Sequence, residues 1–254
     1  MPEKNAIQPS TLYLVATPIG NLDDITFRAL KVLKEVSLIA AEDTRNTSKL
    51  LLHFGIKASK LISCYEHNEI KKTDDILDTL SKGGSVALAT DAGMPGISDP
   101  GYQVVKMVLE NGFKVVPIPG ASALVAALPA SGLVPTPFTF VGFLPHKTND
   151  RRQAMTKLKS LEQTLVFYEA PHRVTDFLID ASEIFGLRQA VAARELTKLH
   201  EEFVRGTLEE LLNHFSAHEP MGEFVFMIEA AAPGSNDPAP ERSEERRVGK
   251  ECRP

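Results

Sequence analysis

The sequence predicts an α/β protein: two α/β lobes with a ligand cleft between them, followed by a disordered C-terminal tail. Three observations carry that expectation. Short apolar runs alternate with amphipathic helical stretches through the first half, the pattern of a mostly parallel sheet. The second half is richer in runs of aromatic and β-branched residues. The strand-like runs repeatedly end in loops of glycine, proline or charged residues. In open α/β sheets ligands bind at the carboxyl ends of strands.

Taken in order, Leu12–Ala16 reads as the first strand and runs into Thr17-Pro18-Ile19-Gly20-Asn21. A helical pattern covers Ile25–Val36. Leu38–Ala41 is a second strand, with Glu42-Asp43-Thr44-Arg45 just past its end. Another helical pattern covers Asp74–Lys82. Val86–Ala89 is a buried strand that feeds the loop Asp91–Gly101. Tyr102–Asn111 is a helix ended by Gly112 as its C-cap. Phe113–Ile118 precedes Pro119-Gly120-Ala121-Ser122-Ala123, and the lobe boundary is expected near Pro119–Ser122. The lobes are then residues 11–119 and 120–230. In the second, Phe138–Leu144, Thr164–Tyr168 and Ala190–Ala193 read as strands. Glu202–Gly206 and Glu223–Glu229 read as an antiparallel pair.

The 254 residues, 43% of them hydrophobic, suffice for a substantial core. No run approaches the roughly 18 apolar residues of a membrane span, and Met1–Ser10 lacks a signal-peptide core. Two cysteines in unrelated contexts point to a reducing cytoplasm rather than a disulfide framework. A net charge of −5 argues against a wholly basic nucleic-acid binder but leaves room for a local basic patch. Phe143-Leu144-Pro145-His146-Lys147, with Arg151, Arg152, Lys157 and Lys159, is the candidate for that patch; a solvated helix face is the alternative.

The loop Asp91–Gly101 is the most informative segment. It holds three glycines, two prolines and two aspartates in eleven residues. Glycine permits close backbone approach and proline fixes φ, so such a loop has a defined shape with exposed amides. No phosphate-binding Gly-x-x-x-x-Gly-Lys-Ser/Thr, no Gly-x-Gly-x-x-Gly after the first strand, no zinc spacing and no Gly-x-Ser-x-Gly accompanies it. No metal is expected. Cys64–Glu69 gathers acid, imidazole and amide groups, and reads as an exposed polar loop or as an acid/base cluster. Asp43 or Thr44 is placed to cap the helix running to His53, with Arg45 directed to the cleft. Glu169-Ala170-Pro171-His172-Arg173 and Arg194–Glu201 are the strongest charged clusters. Each is a site candidate or an interlobe salt-bridge network.

Six motifs in order then carry a resemblance: Thr17–Leu22, Ala41–Arg45, Asp91–Gly101, Pro119–Ala123, Tyr168–Arg173 and Ala193–Lys198. From about Leu12 to Glu229 the chain closely resembles the bacterial 16S ribosomal RNA cytidine 2′-O-ribose methyltransferases. These belong to the tetrapyrrole methylase superfamily, the class III methyltransferases. The resemblance implies S-adenosylmethionine folded in the cleft, against Pro18, Asp91, Gly93, Met94, Ile97, Ser98, Ser122, Ala123, Tyr168 and Glu169. It implies methylation of a cytidine ribose in the decoding region of 16S rRNA within the small ribosomal subunit, by a homodimer. A ribose hydroxyl needs a base or cations that stabilise its alkoxide. Glu169 and Glu195 are the candidate bases; Arg45, Arg173, Arg194 and Lys198 are the candidate cations. A tetrapyrrole C-methyltransferase and a non-catalytic RNA-binding sensor are the rival readings.

From Ala231 the composition turns to Pro, Gly, Ser, Asn and Asp and then to a charged run, so residues 231–254 are expected to be disordered. Residues 242–254 resemble a reading frame of a sequencing-adapter oligonucleotide and are expected to be non-native. The small helical extension that often follows the last strand in the resembled family is then absent. Codons in the source DNA unlike AGA TCG GAA GAG would exclude the adapter origin.

Overall fold

The structure, a computed structural model of the chain, describes residues 6–234. The predicted tail from residue 235 onward lies outside the described residues.

The first sheet is wholly parallel. Its strands are β1 (Thr11–Val15), β2 (Leu38–Ala41), β3 (Leu61–Ser63), β4 (Ser85–Ala89) and β5 (Lys114–Ile118), in the order β3-β2-β4-β1-β5. The helices between them are α1 (Phe27–Glu35), α2 (Thr44–His53), α3 (Glu69–Ser81) and α4 (Tyr102–Glu110). Alternate strand residues serve opposite faces, as the pleat requires. Leu12, Leu38, Val86 and Leu88 pack on Ile76 and Leu80 of α3 and on Val104 and Val108 of α4. Tyr13, Ile39 and Ala87 pack on Ala29, Val32 and Leu33 of α1 and Leu51 of α2. A sheet covered on both sides explains why its strands read as continuous apolar runs.

The ends predicted for α1 and α4 hold closely. Thr26 caps α1 by accepting from the Ala29 amide at 3.1 Å, and Gly112 sits at φ 77° after α4. The helix expected at Asp74–Lys82 begins earlier, at Glu69.

The second sheet is mixed. It holds β6 (Phe138–Phe143), β7 (Thr164–Glu169), β8 (Gln189–Arg194), β9 (Glu202–Thr207) and β10 (Phe224–Ile228), in the order β6-β7-β10-β8-β9. Only β6–β7 is a parallel pair. One face packs on α7 (Val174–Phe185) and α8 (Leu208–Ala217), with Met155 of α6 (Thr148–Leu158). Its other face packs on Leu124, Ala127 and Leu128 of α5 (Ala123–Ala130).

The expected β9–β10 pair does not form; β8 lies between them. All five residues of β10 are buried, whereas β9 has no fully buried residue. A strand apolar on both faces takes the centre, and an amphipathic one takes the edge.

The basic patch also needs correction. Arg151 is buried and its guanidinium meets Asp180 at 2.6 Å. Arg152 bridges Asp180 and Glu183 at 2.7 and 2.6 Å. These two arginines lock α6 to α7 and are not free for phosphate. Among the described residues no helix is long and apolar enough to cross a membrane.

Candidate active site

The carboxyl ends of β1, β4 and β5 converge on the second sheet at the end of β7. The loop after β4 is held by paired amides: Thr17 N donates to Gly93 O at 2.9 Å and Gly93 N to Thr17 O at 3.1 Å. Thr17 Oγ1 donates to the Thr90 carbonyl at 3.0 Å. Within the loop Gly93 and Gly96 take φ of 79° and 82°, and Ser98 takes 62°. Those left-handed positions are why the segment needs its glycines.

The loop's far end is anchored by an unexpected residue. The buried carboxylate of Glu69, at the start of α3, accepts from the amides of Gly101 at 3.1 Å and Val104 at 3.0 Å. Glu69 thus caps α4 from another helix. This decides the Cys64–Glu69 cluster: Cys64 is buried, its thiol pushed up to about 11 by burial, and Glu69 is a structural cap.

Across the gap, Tyr168 on β7 ties α5 to the second sheet. Its hydroxyl accepts from the Leu124 amide at 3.0 Å, in the first turn of α5. Its ring meets Phe140 and Phe143 edge-on, with centroids 5.0 and 5.7 Å away.

These elements enclose a cavity of about 490 Å³, within the range of small-molecule sites. The first-lobe side is Ile19, Gly93, Met94, Ile97, Ser98 and Asp99; Ser122 and Ala123 belong to the link into α5. The second-lobe side is Phe143, Tyr168, Glu169, His172, Leu196, Glu223 and Val225. Of the ten residues expected to meet a cofactor, Gly93, Met94, Ile97, Ser98, Ser122, Ala123, Tyr168 and Glu169 line this cavity. Pro18 and Asp91 instead line a neighbouring hollow of about 300 Å³ with Asn46, Lys49 and His53.

The cavity is acidic. Its charged lining is Asp99, Glu169 and Glu223, with His172 the one basic side chain. Glu169 is fully buried and burial raises its pKa. Its Oε1 accepts from the Ala170 amide at 2.9 Å and lies 3.2 Å from Arg173 Nε, while its Oε2 has no partner among the described residues. An orphaned acceptor in an acidic, mostly apolar cavity suits a cationic ligand with a donor to give. Asp99 is pushed up to about 7, first by burial and then by Glu42, Asp91 and Glu223.

The candidate cations are mostly engaged. Arg45 is exposed and folds back on Asp43 at 2.6 Å, which holds the Asp43 carboxyl down at about 2; Asp43 also caps α2. Arg45 is therefore not directed into the cavity. Arg173 is buried and donates through Nη2 to the carbonyls of Leu144 and Pro145 at 2.8 and 3.1 Å. Arg194 Nε donates to the Met221 carbonyl at 2.6 Å. Lys198 Nζ sits between Glu195 Oε1 and Glu223 Oε2 at 2.8 and 2.9 Å. Burial opposes ionisation of Glu195, but Lys198 and the Glu223 amide outweigh it and hold its pKa below the ordinary value. Glu195 and Thr197 both take left-handed φ, 49° and 67°, and between them Leu196 reaches the cavity wall.

Asp99, Phe143, Leu196 and Glu223 were not singled out as site residues. Asp99 stood within the flagged loop. Leu196 and Phe143 also stood in flagged segments, though for their charged neighbours, whereas Glu223 comes to the wall by packing between distant segments, for which a single sequence carries no local signal.

Two α/β lobes with a ligand cavity at their strand ends define a small-molecule-binding architecture, and comparison with known proteins gives it a family. The sequence profile of the Tetrapyrrole (Corrin/Porphyrin) Methylases matches residues 11–212, and the chain belongs to that family. Within it, the chain is 53% identical over 219 residues to the Ribosomal RNA small subunit methyltransferase I of Halalkalibacterium halodurans, covering 86% of this chain and 75% of the relative. It is 46% identical over 226 residues to the Bacillus subtilis protein of the same name, covering 89% and 76%. Its fold is similar to that of uroporphyrin-III C-methyltransferase from Thermus thermophilus, solved with S-adenosyl homocysteine (TM-score 0.59, 18% identity, 86% and 97% covered).

Proposed function

We propose that this protein transfers the methyl group of S-adenosylmethionine to the 2′-hydroxyl of a cytidine ribose in the decoding region of small-subunit ribosomal RNA. The observation that carries the reading is the acidic cavity at the lobe junction, in a chain about half identical to ribosomal RNA small subunit methyltransferases.

The cavity's residues fit the cofactor. S-adenosylmethionine supplies a methyl group already activated on a sulfonium. Glu169 and Glu223 complement that charge and the ammonium group beside it. The unpartnered Glu169 Oε2 is an acceptor for an ammonium or hydroxyl donor. The amides and carbonyls of Gly93, Met94, Ser122 and Ala123 offer polar contacts, and Ile19, Ile97 and Val225 offer an apolar wall. Pro18 and Asp91 shape the loop from the adjoining hollow. Arg173 acts through Glu169 as a positioning residue. Arg194, Glu195 and Lys198 hold the strand-end loop that presents Leu196, and Arg45, exposed at the rim, meets RNA phosphate. Holding donor and acceptor in line supplies much of the acceleration.

In this reading residues 11–119 and 120–230 are the two lobes, the working form is a homodimer, and the protein acts in the cytoplasm on the small ribosomal subunit. Incubation with labelled S-adenosylmethionine and small subunits lacking the modification tests the reading. Label at a ribose of the RNA supports it. Label transferred only to an added tetrapyrrole would move the protein to the C-methylating branch, and cofactor binding with no transfer would make it a sensor.

A further inference from the structure

Two of the three carboxylates in the cavity are committed. Glu169 lies beside Arg173, and Glu223 holds Lys198. Asp99 has neither a hydrogen bond nor a cation among the described residues. The charged groups that face it are Glu42 after β2, Asp91 after β4 and Glu223 ahead of β10, with the Tyr168 phenol on β7 as a further titratable neighbour. The backbone fixes its place. Ser98 takes φ 62°, and Gly142, at a bulge in β6 with φ 71°, leaves room for the Ser98 hydroxyl, which lies 3.0 Å from where a Cβ would stand.

We propose that Asp99 is the general base of the methyl transfer, taking the proton from the acceptor hydroxyl; this rests on the methyl-transfer reading above. The hydroxyl oxygen forms the new bond to the methyl carbon. The carbon–sulfur bond breaks with its electron pair left on sulfur, and the hydroxyl proton passes to the Asp99 carboxylate.

Position favours Asp99 over the other acids. A hydroxyl on a large RNA enters from solvent, and Asp99 is partly exposed while the Glu169 side chain is fully buried. Glu195 is not in the cavity wall and is neutralised by Lys198. Basicity agrees: burial among three acids lifts Asp99 to about 7, near the optimum for a base at neutral pH.

The test uses the full chain and its Asp99→Asn and Asp99→Glu variants. Transfer from labelled S-adenosylmethionine to unmodified small subunits is measured beside cofactor affinity by calorimetry. The carboxyl is followed directly by ¹³C NMR of aspartate-labelled protein. In Asp99→Asn, transfer falls about 100-fold or more while cofactor affinity stays within about threefold. Asp99→Glu recovers part of the loss, and a carboxyl titrating near neutrality disappears from the Asp99→Asn spectrum. Transfer by Asp99→Asn within about threefold of the parent overturns the base alone. So does a loss of cofactor affinity that accounts for the lost transfer, or the absence of any aspartate titrating above about pH 6. Absence of transfer by the parent overturns the function and the base together.

Discussion

Ionising Asp99 is unfavourable in the folded protein because burial and then Glu42, Asp91 and Glu223 oppose it. In the unfolded chain it ionises near 3.8; in the folded protein it does so near about 7. Between those values the folded state keeps a proton that the unfolded state has lost. Stability therefore falls as pH rises through that window, and the whole cost is present above it. Asp99→Asn is expected to raise Tm at pH 8 and leave it nearly unchanged at pH 4, read by circular dichroism. Equal Tm values for parent and variant at pH 8 would mean that the carboxylate is well solvated. Such residue-level properties were beyond the sequence. Asp99 and Asp91 share one loop, yet only the folded packing separates a half-buried acid at the cavity from one that accepts from the Asp43 amide and Asn46.

Elements place these residues, and the α3–α4 joint does so for the loop. Glu69 satisfies two amides at the start of α4, so the loop's exit is fixed by a carboxylate more than thirty positions earlier. Glu69→Ala leaves two buried amides unpaired and is expected to cost about 2 kcal/mol. Urea denaturation checks this, and a loss below about 0.5 kcal/mol would show that water replaces the carboxylate. Cofactor affinity should fall as well, since the loop that walls the cavity loses its anchor. Most strands were legible as bounded apolar runs, the three-residue β3 being too short to read, and the Asp43 cap followed from local hydrogen-bond chemistry, whereas the Thr26 cap was not read. The order of the second sheet was not. Phe224–Ile228 is apolar on both faces, which marks a central strand, but its neighbours are chosen by long-range packing. The Arg151–Arg152 stretch misled for a related reason. Charge on a helix reads as solvent-facing until a buried Asp180 on another helix is known to meet it.

At the scale of the whole molecule, two sheets supply rigid strand ends and the cavity lies where their loops meet. The cavity is acidic and the chain carries −5 overall, whereas RNA is an anion. A cation-selective cofactor site is therefore distinct from whatever surface holds the RNA phosphates. With Arg151 and Arg152 engaged, Lys147 and Lys157 are the groups of that stretch to test there, beside the exposed Arg45, which would have to leave Asp43. The central claim is the identity of the methylated group, and nucleoside mass spectrometry of RNA from small subunits treated with protein and S-adenosylmethionine tests it most directly. One new 2′-O-methylcytidine in the decoding region is expected. A methyl group found on a cytosine base, or no methylated nucleoside at all, would contradict it.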